Sequence, residues 1–70
     1  MRIWPTRTYV VGGELCHFTM RGARVVMTWN KGNDFLHFPD GMETGPAVMA
    51  VIKHGGPTAF AASLLEEHNV

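Results

Sequence analysis

Between Thr8 and Trp29 the chain is built of short apolar runs, alternating in character and separated by glycines. "TYVV" is followed by Gly12-Gly13, "ELCHFTM" by Arg21-Gly22, and "ARVVMTW" by "NKGND". β-Branched and aromatic residues dominate these runs, which predicts three antiparallel strands joined by tight turns. In the second run Cys16, Phe18 and Met20 share a face opposite Leu15, His17 and Thr19. In the third, Ala23, Val25, Met27 and Trp29 oppose Arg24, Val26 and Thr28. Successive strand side chains point to opposite faces, so one face of this sheet is the drier. "DFLHF" at 34–38 predicts a fourth short strand before Pro39-Asp40-Gly41 turns the chain.

The period lengthens after Gly41. "ETGPAVMAVIKHGG" places Pro46 in a first helical turn, with Thr44 or Gly45 as the cap and Val48, Val51 and Ile52 on one face. Gly55 is a left-handed stop. Pro57 opens a second helix with Phe60, Ala61, Leu64 and Leu65 as its apolar stripe and Glu66 and Glu67 toward water. The helices are expected at about 45–54 and 57–68, the strands within 8–38. Strands followed by helices predict a single α+β domain over residues 1–70, an antiparallel sheet of three or four strands covered on one face by two helices.

At 46% apolar and 17% charged, the composition is that of a folding chain. A body of 70 residues with so few charges has too little polar surface to cover itself. That predicts exposed apolar area and self-association, most simply as a homodimer. Cys16 is the only cysteine, which fits a reducing, cytoplasmic setting. "MRIWPTRTYVVGG" shows no secretory leader, and no stretch has the length of a membrane span. The net charge of zero conceals a polarity. Up to Gly32 stand Arg2, Arg7, Arg21, Arg24 and Lys31 against Glu14; beyond it stand Asp34, Asp40, Glu43, Glu66 and Glu67 against Lys53.

"HGGPTAFAASL" resembles the opening of the helix-turn-helix in Cro-like and YdaS-like bacterial repressors, at Gly55, Gly56, Thr58, Ala59, Ala61 and Leu64. The resemblance implies DNA reading, which needs a recognition helix after this one. The dozen residues that match are followed by Glu66-Glu67, which repel phosphate, and the sequence ends at Val70. A plain joint between two helices is the expectation.

Cys16, His17, His37, His54 and His68 are metal-ligating types at spacings that suit no metal: Cys16 and His17 point to opposite faces of one strand, and the histidines lie on different elements. No metal and no cofactor are expected. Cys16 sits among Phe18 and Met20, as a structural thiol does rather than a nucleophile. With no paired-carboxylate, phosphate-loop or nucleophile-elbow pattern, the chain is read as non-catalytic.

What remains is recognition by surface. The sequence reading is a small protein-binding module, an accessory or inhibitor protein of the kind encoded by phage or mobile elements, acting on a host protein complex. Trp4, Met42 and Met49 are its expected partner-binding residues: Trp4 lies beside Pro5 outside the regular elements, Met42 beside a turn, and Met49 off the Val48-Val51-Ile52 face. One alternative is a nucleic-acid-binding regulator using Arg7, Arg21, Arg24 and Lys31 on a basic sheet face, with Trp4, Tyr9 and Trp29 for stacking. Another is a structural subunit whose basic and acidic faces meet head to tail.

Overall fold

A two-residue loop between strands demands positive φ, and the glycines supply it. In the computed structural model, which describes residues 5–68, Gly12 and Gly13 have φ of +61° and +79°, as a type I′ turn requires. They join β1 (Thr6–Val11) to β2 (Glu14–Arg21). Gly22, at φ +63°, turns β2 into β3 (Arg24–Trp29), and a longer loop at Asn30 to Asn33 leads to β4 (Asp34–His37). The sheet is antiparallel throughout, in the order β1-β2-β3-β4. α1 (Thr44–Lys53) and α2 (Pro57–His68) follow, so the α+β architecture of the sequence reading is what the chain adopts.

The register puts Tyr9, Cys16, Trp29 and Asp34 in one row and Phe18, Met27 and Leu36 in the next, all toward the helices. Phe18, Met27, Val25 and Cys16 are the most deeply buried of the strand residues. From above, α1 contributes Ala47, Val48 and Val51, and α2 contributes Phe60. Aromatic rings run through this core in sequence: Tyr9 meets Phe18 edge-on at 5.8 Å, Phe18 meets Phe38 at 6.2 Å, and Phe38 stacks on Phe60 at 5.5 Å.

Some details depart from expectation. Neither Thr44 nor Gly45 caps α1; Glu43 does, through its backbone, with the carbonyl accepting from Ala47 N–H at 3.2 Å. Pro46 still falls in the first turn, where a missing N–H costs nothing. Ile52 and Leu65 are 47% and 65% exposed rather than buried. The buried stripe of α1 includes Ala47, which centres it near Val51, and Ile52 lies one residue, about 100°, further round the helix. Leu65 stands to Leu64 as Ile52 does to Val51.

α1 ends in a Schellman motif: Gly56 N–H donates to Val51 O at 3.1 Å and Gly55 N–H to Ile52 O at 3.0 Å, with Gly55 at φ +89°. The ring of His54 donates from Nδ1 to Ala50 O at 2.9 Å, serving one of the last carbonyls of the helix. The joint then docks on the β1–β2 turn. A Cβ on Gly12 would lie 1.9 Å from Gly55 O, and one on Gly56 would lie 3.1 Å from Val11 O. Thr58 donates to the Glu14 carboxylate from its hydroxyl at 2.5 Å and, more weakly, from its N–H at 3.4 Å. Glu14 thus supplies from β2 the acceptor and the negative charge that Gly56, lacking a side chain, cannot give the start of α2. Gly55-Gly56-Pro57 is a fixed seam between helices and sheet.

Candidate functional site

Because the helices cover one face of the sheet, alternation along the strands dictates what the other face shows. It carries Thr6, Thr8 and Val10 from β1, Leu15, His17 and Thr19 from β2, Val26 and Thr28 from β3, and Phe35 and His37 from β4. No described element covers it. Val10 is 70% exposed, Leu15 53% and Phe35 65%. Only Val26, on a central strand, is buried by its neighbours. Four of its polar groups pair with one another: Thr6 and Thr19 hydroxyls are 3.0 Å apart, and Thr8 Oγ1 lies 2.8 Å from His17 Nδ1. Self-satisfied hydroxyls set among apolar side chains form a surface that loses little when water leaves it.

The second surface is an open groove of about 680 Å³ where the end of β4 meets α2. Leu36, Phe38, Met42, Phe60 and Leu64 form its apolar lining, and Arg24, His37 and Asp40 stand at its rim. The rim is tied together. Arg24 donates from Nε to Asp40 Oδ1 at 2.9 Å and from Nη1 to His37 Nδ1 at 3.3 Å, while His37 lies 5.6 Å from the Phe35 ring. A smaller recess at the opposite end of the sheet is lined by Glu14, Leu15, His17, Trp29, Lys31 and Thr58.

The expected partner-binding residues are scattered over these features. Trp4 lies outside the described residues. Met42 is half buried against the core and lines the groove, and Met49 is 64% exposed on the outside of α1. They do not form one patch; Met49 instead shares its helix with exposed Ile52.

The basic residues are likewise dispersed. Arg21 and Arg24 are direct cross-strand partners at the β2–β3 turn, and Asp40 offsets that like-charge pair. Lys31 lies in the β3–β4 loop at the far end of β3, about 20 Å away at the usual rise per residue. Arg7 is paired with Phe18 and so leaves β1 on the helix side of the sheet. Tyr9 and Trp29 also point to that side, Trp29 buried in the core and Tyr9 half-buried against it, so neither ring stands on the uncovered sheet face. The exposed sheet aromatic is Phe35, which the sequence reading passed over. The signal was there: the alternation in "DFLHF" sets Phe35 and His37 against Leu36 and Phe38.

Cys16 is fully buried, with its Sγ 3.6 Å from the Tyr9 carbonyl. Burial first, and the negative charge of Glu14 second, push its pKa above 9.0. Burial in the core and a raised pKa both lower the thiolate fraction of this side chain. Among the described residues, no three His, Cys, Asp or Glu side chains converge as a metal site, and no helix is long and apolar enough to cross a membrane.

Comparison with known proteins gives no match: no family model, no curated protein and no solved structure is similar to this chain.

Proposed function

We propose that this chain is a small, non-catalytic protein-binding module that works as a homodimer in the cytoplasm and docks on a larger protein. The observation that supports it is the uncovered sheet face, where Val10, Leu15 and Phe35 stand exposed beside the Thr6–Thr19 and Thr8–His17 hydrogen bonds. Apolar groups at such a surface gain from contact with another protein, and aromatic anchors such as Phe35 carry a large share of binding energy. In its most specific form the reading is an accessory or inhibitor protein of a phage or mobile element acting on a host complex, supported by the low charged fraction and the polarity of charge along the chain.

The test compares the native protein with a Val10→Lys, Leu15→Glu, Phe35→Lys variant as baits in a bacterial lysate, at low and high salt. A protein retained by the native bait at both salts and lost by the variant supports the reading. Nucleic acid retained at low salt and stripped at high salt overturns it for a phosphate-binding regulator, because each neutralised phosphate releases counterion.

A further inference from the structure

Antiparallel strands alternate between residues whose backbone N–H and C=O face the neighbour and residues whose groups face away. Just beyond β4, Phe38 N–H donates to Val25 O at 2.9 Å, toward β3. Stepping back by twos, Leu36 and Asp34 also face β3, where their partners are Met27 and Trp29. Phe35 and His37 therefore turn both their N–H and C=O groups to the open edge of the sheet. That edge carries neither lysine nor proline within β4, the guards that protect exposed strands elsewhere.

We propose that a second copy of this chain pairs along this edge, β4 antiparallel to β4, with the two-fold axis at Leu36. This inference deepens the homodimer reading above and rests on it. In this register Phe35 of each copy is opposite His37 of the other, so every outward-facing backbone group of these residues is paired. The outer face then repeats between copies the Phe35–His37 contact already made within one, and Leu36 meets its equivalent on the inner face, beside the groove lined by Met42 and Leu64.

Charge favours this occupant. Lys31 and Asp34 stand at the start of β4, and Arg24 and Asp40 at its end. Antiparallel pairing brings the start of one strand to the end of the other, so each end of the joint holds Lys31 and Asp34 of one copy beside Arg24 and Asp40 of the second. Positive and negative groups are matched at both ends, with Lys31 level with Asp40 and Gly41 of the second copy. The opposite edge, β1, has its own open backbone. Its strand carries Arg7 and no acid to match it in a second copy.

Analytical ultracentrifugation over a range of concentrations tests this with four variants, each checked for native circular dichroism. Phe35→Pro removes an edge-facing N–H without touching the β3 ladder, and by symmetry removes it twice. The dimer dissociation constant is expected to rise about tenfold to a hundredfold. Thr8→Pro does the equivalent on the β1 edge, where the Gly12-Gly13 turn fixes Val11 as bonded to β2 and Thr8 as outward, and should leave the dimer intact. Lys31→Glu should weaken the dimer by roughly three- to tenfold, and adding Asp40→Lys to it should restore association. If Phe35→Pro does not fold, the charge reversal decides alone.

A dimer indifferent to Phe35→Pro and Lys31→Glu, or one dissociated by Thr8→Pro, overturns the β4 joint and leaves the homodimer reading standing. A native protein monomeric at every concentration overturns both. Assemblies that grow without limit overturn the closed two-fold in favour of head-to-tail stacking.

Discussion

Gly12→Ala and Gly13→Ala place the same methyl group at neighbouring positions with almost the same backbone, and the seam between sheet and helices makes their consequences differ. Both residues have positive φ, so each substitution meets the left-handed cost of about 1–2 kcal/mol, partly offset by a stiffer unfolded chain. At Gly13 nothing lies within 4 Å of the new Cβ, and a net loss of about 1 kcal/mol is expected. At Gly12 the Cβ would stand 1.9 Å from Gly55 O and 3.0 Å from its carbonyl carbon, both backbone atoms that no rotamer change can move. The turn and the helix joint must separate by more than an ångström. That loosens the Glu14–Thr58 bonds and the packing beneath Phe60, adding roughly 2–4 kcal/mol. A chain of this size has about 4–10 kcal/mol in total. Urea denaturation followed by circular dichroism at 222 nm gives the comparison, with Gly12→Ala expected at least 2 kcal/mol less stable than Gly13→Ala. Midpoints that coincide, or a larger loss at Gly13, would refute the seam.

Glu14→Ala should cost about 1–2 kcal/mol by removing the cap of α2, and Thr58→Val in the Glu14→Ala background should add much less than it does alone; simple additivity in urea melts counts against the cap. The raised pKa of Cys16 makes a pH prediction. The folded state holds the proton more tightly, so its contribution is complete below 9.0 and is lost as pH rises from there through the folded pKa. Melting temperatures of the native protein should therefore fall faster above pH 9 than those of Cys16→Ala, and parallel curves would rule this out. Lys31 holds φ +57° in an exposed loop, beside Asn30 at +55°. Lys31→Gly should relieve that strain and stabilise by up to about 1 kcal/mol, whereas a destabilised variant would show that the loop needs the lysine side chain.

What could be read from the sequence divides according to the range of the interaction. Strands, turns and the helix stop were legible because each is set locally: Gly12-Gly13 by positive φ, Gly55 by the left-handed end of α1, Cys16-Phe18-Met20 by period two. Errors arose where a distant partner decides. Ile52 and Leu65 belong to apolar stripes by period alone, but the helices pack through Ala47, Val51, Phe60 and Leu64, and the stripe ends a residue early. Nothing local ties Glu14 to Thr58, 44 residues away, because that pairing exists only once the β1–β2 turn has met the helix joint. The exposed face was only half legible. Alternation separates its residues from the core but does not say which apolar side chains stay uncovered, and Trp29 and Tyr9 drew attention that Phe35 warranted.

The charge polarity changes meaning once the chain is folded. Along the sequence the basic and acidic halves are distinct, which suggests a positive face for a polyanion. In space β3 lies between β2 and β4, and Arg24 crosses to Asp40. The positive half is thereby stitched to the negative one at the β2–β3 end, while Lys31 is carried to the other end. A phosphate backbone is attracted by a contiguous stripe of cations, and each cation separated or neutralised removes a counterion-release contribution of its own. Protein recognition has no such requirement; it asks for apolar anchors with charges arranged at the rim to fix register. Phe35 and Leu36 at the β4 edge, with Lys31 and Asp34 at one end and Arg24 and Asp40 at the other, have that arrangement. The same alternation that buries Phe18 and Met27 places it there, and in the proposed β4–β4 dimer the polarity would set the register between copies.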